Sequence, residues 1–276
     1  MVATNKDPVL AVFSLSGGND FMNTVIPYTN PLYRDYRPTL AIAEDQVVPI
    51  TEELAFHPAM ASLKKYWDEG KLAIILGVGY PHPSLSHFRS MDIWATCEPD
   101  ELGLTGWLGS VIQEIDPKAE NVLTGVNFGR GLPRSMAKDG VPVASVGDLS
   151  SYGLLTDIEE TGQRDQALDL FGRMYSPVLG RGVVNDYIRR TGLEAMAGAD
   201  ILGTAPGKYS STVEYGNSAV GGYLKDMVQV HNAGFGTRVL FTTAPYNIFD
   251  THANQAVGHS NLLMDVSTNI DCFMTD

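Results

Sequence analysis

Three short apolar runs constrain this chain more than any other feature of it. Val9-Leu10-Ala11-Val12-Phe13-Ser14-Leu15 stops at Gly17-Gly18-Asn19-Asp20, and Leu72-Ala73-Ile74-Ile75-Leu76-Gly77-Val78-Gly79 stops at Tyr80-Pro81-His82-Pro83. Arg238-Val239-Leu240-Phe241-Thr242-Thr243 comes shortly before Asp250-Thr251-His252. Runs this short, with β-branched residues and turn signals at their ends, read as buried strands. Strands apolar on both faces need cover on both faces, which is the habit of parallel sheets. Between the first two runs, residues 58–67 have helical spacing and end at Gly70, a good residue to close a helix. Strand, helix, strand predicts a right-handed βαβ crossover. The expected fold is α/β: one central, mostly parallel sheet holding all three runs, with helices on both sides.

The remaining pattern extends this reading. Helices are predicted over residues 86–94, from residue 105 to at least 112, and over 166–175, 218–232 and 260–274. Residues 122–153 alternate short apolar pairs with Gly and Pro, which suits short strands and loops. No internal repeat, low-complexity tract or linker interrupts the chain, so residues 1–276 read as a single domain. With 276 residues and 44% hydrophobic content, a substantial core can be buried. Lys and Arg number 19 against 32 Asp and Glu, a net charge of −13 with a pI near 4.8. Such a surface repels phosphate backbones and anionic lipid, which argues against nucleic-acid or membrane-surface binding. No apolar run approaches the roughly 20 residues that span a bilayer. Cys97 and Cys272 are too few for a disulfide framework and too far apart for a CxxC or zinc-finger pattern, so they read as unpaired thiols. Residues 1–7 carry neither a basic n-region nor twin arginines, so no export signal is read there.

Polar residues gather where the predicted strands end, which is where ligands bind open α/β sheets. Asp20 follows the first run, Ser84, Ser86 and His87 follow the second, and Asp250 and His252 follow the third. Asp and neutral His suit zinc, manganese or iron. A serine hydroxyl at a helix start lies where backbone N–H groups favour an anion. Cations beside such a hydroxyl are the parts of phosphoryl- or sulfuryl-transfer hydrolysis. Each residue also has a plainer role. Gly17-Gly18-Asn19-Asp20 is a turn sequence, Ser86 a helix cap supported by Ser84, and Asp250 a cap for a helix starting near His252. The plainer role for His87 is a hydrogen bond to a backbone carbonyl. His259, about two helical turns beyond His252, shares that face if the helix runs through both. His57, His82 and His231 have no acidic neighbour in sequence and read as structural.

The stretch from Ser16 to Tyr28, Ser16-Gly17-Gly18-Asn19-Asp20-Phe21-Met22-Asn23-Thr24-Val25-Ile26-Pro27-Tyr28, resembles the opening of the DUF1501 family of bacterial proteins, relatives of alkaline phosphatases and sulfatases. Further similar blocks follow in order: Arg37-Pro38-Thr39-Leu40-Ala41-Ile42, Phe56-His57-Pro58-Ala59-Met60, residues 79–94, Gly106-Trp107-Leu108-Gly109 and Phe249-Asp250-Thr251-His252-Ala253-Asn254-Gln255. The resemblance covers nearly the whole chain. It implies an alkaline-phosphatase-like α/β fold and a divalent-metal site of zinc, manganese or calcium. Asp20 then corresponds to the first-strand metal carboxylate, and Ser86 or Ser84 to the nucleophile position. Asp250 and His252 correspond to later metal ligands, with His259 a further one. It also implies export to the periplasm or beyond.

Two departures temper what the resemblance implies. Family members run on through a Phe-Gly-Arg block to an Asp-His-Gly motif, and Asp276 precedes any such motif here. The Gly-rich approach to the Asp-Thr-His motif is replaced by Tyr246-Asn247-Ile248-Phe249. Relative to the family the chain therefore reads as C-terminally incomplete, with half the expected ligand set. Two functions are expected on this basis. One is a metal-dependent hydrolase of small phosphate or sulfate esters, with low turnover because ligands are missing. The other is a non-catalytic exported binding or assembly protein that keeps the fold. An exposed sheet edge would make self-association the natural assembly mode.

Overall fold

Two of the three apolar runs become neighbouring strands, and the third does not become a strand. The computed structural model describes residues 7–152, 160–174, 198–199 and 201–276. In chain order the elements are β1 (Leu10–Ser14), β2 (Val25–Ile26), α1 (Pro31–Asp35), β3 (Val48–Pro49), β4 (Ala55–Phe56), α2 (Lys64–Asp68), α3 (His87–Thr96) and α4 (Trp107–Ile115). They continue with β5 (Gly125–Phe128), β6 (Ala144–Val146), α5 (Thr161–Met174), α6 (Ala205–Lys208), α7 (Ala219–Asn232), β7 (Val239–Thr243) and α8 (Gln255–Thr275). The predicted helix over residues 166–175 is met by α5 through Met174, and residue 175 lies outside the described residues, as does residue 153 at the end of the 122–153 stretch.

Internal contacts divide the chain into two compact units. The first comprises residues 1–12, 92–210 and 226–242. It carries most of a four-stranded sheet in the order β1-β7-β5-β6. β5 runs parallel to both of its neighbours, with Val126 opposite Ala144 on one side and Leu240 on the other. The N–H of Leu10 meets the carbonyl of Arg238 and that of Ala244 meets Ser14, so β1 and β7 also run in the same direction. All four residues of β5 are buried, as a central strand covered on both faces must be. Leu108 and Ile112 of α4 pack with Met136, Val239 and Phe241, and Val12 joins the cluster. Gly125 makes that approach possible: a Cβ there would lie 2.4 Å from Ile112 Cδ1. The architecture is α/β, a mostly parallel sheet flanked by helices.

The second unit comprises residues 13–91, 211–225 and 243–276. Its small antiparallel sheet, in the order β2-β4-β3, has strands of two residues each. Ile26, Tyr33, Val47 and Ala55 form its core. α8 lies along the 3-10 segment Pro58–Leu63, joined by a 2.8 Å hydrogen bond from Ser267 Oγ to the carbonyl of Ala59. Lower down, Asp271 accepts from Tyr66 Oη and pairs with Lys65 Nζ, each at 2.6 Å. Asn254, at φ +53, turns the chain into α8.

Residues 72–78 correct the βαβ expectation. The helical stretch before them forms as predicted and closes at Gly70, φ +67, with the N–H of Lys71 on the carbonyl of Tyr66. Among the described residues, the apolar run then pairs with no strand. Leu72 and Ile74 pack against the Phe56, Leu63 and Tyr66 cluster, which satisfies alternate side chains without a sheet. Gly77, at φ +71, bends the backbone before the run ends. Ile75, Leu76 and Val78 remain 80%, 57% and 58% exposed. Cys97 and Cys272 are both free thiols. Among the described residues no helix is long and apolar enough to cross a membrane.

Candidate functional site

β1 and β7 each deliver a polar loop at their carboxyl ends, and every sequence-predicted site residue falls in the second unit. Leaving β1, the chain passes through three residues with positive φ: Ser16 at 61°, Gly17 at 83° and Gly18 at 74°. A Cβ on Gly18 would lie 2.7 Å from Asp250 Cα, so glycine is required there by conformation and by space. That close approach sets the Asp20 loop against the Asp250 loop.

Asp20 caps the 3-10 turn Phe21–Asn23, accepting from the N–H of Asn23 at 3.3 Å. Its other oxygen takes the Arg37 guanidinium at 2.5 Å and the Gln255 amide. Asp20 therefore serves as the turn residue expected of it, and the groups on its other oxygen are Arg37 and Gln255. Beside it, Asn19 Oδ1 meets His259 Nε2 at 2.9 Å, and Asn19 Nδ2 donates to Thr24 Oγ1 at 3.1 Å. The buried Asn23 accepts from Tyr33 Oη at 2.8 Å and donates to the carbonyl of Leu40 at 3.0 Å. This is a connected polar network, and buried networks of this kind hold a loop in one conformation when every member is satisfied.

His259 is 2% exposed and His57 3%, with their rings 6.0 Å apart and edge-on. Burial holds the His259 imidazole below its ordinary pKa; the Asp20 charge works the other way and Arg37 adds to the depression. Burial, and then the neighbouring His259, pushes His57 down to about 4. His57 Nδ1 accepts the N–H of Ala59 at 3.0 Å and caps the segment that follows, so its proton sits on Nε2. The folded pKa lies below the unfolded value of 6.5. His57 therefore contributes stability that is whole above pH 6.5 and is lost as the pH falls toward 4. The full loss is roughly 3 kcal/mol. Urea denaturation at pH 7 and pH 4.5 will show the wild type weakened at the lower pH. His57→Asn, which keeps a cap acceptor, will show a smaller difference.

Asp250 gathers the second cluster. One oxygen, Oδ2, meets His87 Nε2 at 3.3 Å and His252 Nε2 at 3.2 Å. Burial works to raise the Asp250 pKa, but the hydrogen bonds from His252 and His87 prevail and hold it below the usual carboxylate range. Its side chain is 23% exposed, that of His87 46% and that of His252 86%, so solutes reach the group. His87 is the first residue of α3, with Ser86 immediately before it. Ser84 Oγ accepts the N–H of Ser86 at 3.2 Å, and the carbonyl of Ser84 accepts from Ser90 Oγ at 2.8 Å. The two serines thus shape the entry to α3 on which His87 sits.

These donors fit a divalent cation unevenly. Two ligands on a tetrahedral ion with bonds of about 2.0–2.1 Å lie roughly 3.3 Å apart. The separations from Asp250 Oδ2 to the two imidazole nitrogens match that value. Even so, among the described residues no three His, Cys, Asp or Glu side chains are arranged around a common ion position. Both rings bond the carboxylate directly. Asp20 and His259 fit less well, since Arg37 and Gln255 hold the former and Asn19 holds the latter.

Comparison with family models, curated proteins and solved structures found no match. The geometry of the site therefore carries the functional argument. It also adds two residues that the sequence gave no role, and it specifies a third. Arg37 and Gln255 appeared only inside longer resembling blocks, and no local signal paired either with Asp20. His57 was read as structural, and its place before Pro58 is the cue that it caps a helical turn.

Proposed function

We propose that this chain is a divalent-metal-dependent hydrolase of phosphate or sulfate esters with an alkaline-phosphatase-like fold, akin to the DUF1501 proteins its motifs resemble. The observation that carries this reading is the placement of His87 and His252 on one oxygen of Asp250 at ligand-like separation. Asp250 and His252 would hold one cation once the exposed His252 ring turns from the carboxylate, and His87, on the same carboxylate oxygen, would stand beside it. A bound cation would polarise an ester oxygen and lower the pKa of a hydroxyl or water. Ser86, with Ser84 as its neighbour, stands at the start of α3 where an ester oxyanion is favoured, and would orient or attack the substrate. One cation supports only one of the two oxygens that a paired-metal site stabilises, so turnover is expected to be low.

Isothermal titration with zinc and with manganese tests the reading, combined with turnover of an aryl phosphate and an aryl sulfate. One equivalent bound, with turnover that depends on it, is the expected result. A protein that stays folded and binds neither metal overturns it. A second reading rests on a different observation. Asp20 is closed off by Arg37, Gln255 and the N–H of Asn23. That favours a non-catalytic binding or assembly protein that keeps the fold with an incomplete metal site, and metal-free stable protein without turnover is its signature.

A further inference from the structure

We infer that two copies of this chain associate by pairing the apolar segment 72–76 of each as β-strands. The segment alternates as a strand does. Leu72 and Ile74 are anchored on the Phe56, Leu63 and Tyr66 cluster, while Ala73 and Ile75 face outward, Ile75 at 80% exposure. Among the described residues, the backbone N–H and C=O groups of 72–79 make no hydrogen bond to the rest of the chain. An anchored aliphatic segment with unpaired backbone is a template for another strand.

The occupant follows from charge and composition. Residues 70–91 contain no Asp or Glu, in a chain with 32 of them and a net charge of −13. Two copies that meet along this stretch bring none of its own carboxylates together. Residues 72–80 carry no charge of either sign, so they offer nothing to an acidic or basic peptide. They do offer matching Leu, Ile and Val side chains to a copy of themselves. A two-fold axis makes such a patch self-complementary. A strand pair this short buries less than the roughly 1,200–2,000 Å² of a stable interface, so the dimer will be weak and will depend on concentration. This inference is independent of the hydrolase reading.

Sedimentation velocity across a concentration series, together with hydrogen exchange read by mass spectrometry, tests it. The wild-type mass will double as concentration rises, and amides 72–76 will then exchange at least about tenfold more slowly. Ile75→Lys, at an exposed position that leaves Leu72 and Ile74 in place, will remain monomeric with an unchanged circular dichroism spectrum. A monomer at every concentration overturns the inference. So does a dimer whose amides 72–76 stay unprotected, a dimer that survives Ile75→Lys, or growth into open-ended aggregates instead of a dimer.

Discussion

Asp250→Asn will lower zinc affinity by at least about 10²-fold and depress whatever ester turnover the wild type shows by about 10²–10³-fold. Both effects follow from one atom. Oδ2 of Asp250 is the point where His87 and His252 meet, and an amide cannot supply its charge. Asparagine preserves the volume, so the Gly18 contact with the Asp250 backbone survives and the thermal midpoint moves little. Titration calorimetry and an aryl-ester assay on the same preparation read out the two effects. Unchanged zinc binding in the variant would place any metal elsewhere and remove the basis for assigning Asp250 a ligand role.

Asp20→Ala acts on stability. It removes the cap on the 21–23 turn and leaves Arg37 and Gln255 without their shared acceptor. Breaking a buried pair costs about 3–5 kcal/mol. The Asp20 side chain is 11% exposed and that of Arg37 25%, so partial solvation places the expected loss nearer 2–3 kcal/mol. Urea unfolding measures it. Adding Arg37→Ala to Asp20→Ala will cost less than the two single losses summed, because the second change removes a charge already stranded. Strict additivity would mean that the two side chains are not coupled in the folded protein.

The limits of the sequence are clearest at residues 72–78. Their pattern is as strand-like as that of residues 9–15, yet only the latter joins a sheet. Apolar continuity reports that side chains want burial and says nothing of where backbone partners come from. Leu72 and Ile74 found burial against α2 and its approach, and Gly77 offered a bend. β5 was legible only as part of the short apolar pairs between 122 and 153, because four residues of which two are Gly125 and Asn127 leave little period to read. The two-residue strands β2, β3 and β4 lie below the length at which alternation exists. At the site, Asp250 and His252 could be found because they are two residues apart just beyond a strand, and His87 because it opens a helix. Arg37 and Gln255 could not, since what unites them with Asp20 is tertiary packing.

The second unit takes residues from near both ends of the described chain. Asn19 and His259 are 240 positions apart, and Asp20 and Gln255 are 235 apart. During synthesis, the loop after β1 leaves the ribosome well before the groups that hold it. At about 5–20 residues per second that delay is roughly 10–50 s. Through that interval Ser16, Gly17 and Gly18 have neither the Asp250 backbone beside them nor partners from α8 to fix their unusual dihedrals. The loop after β1 is consequently among the last parts of the molecule to mature, and a nascent chain halted before Gln255 holds it without those restraints.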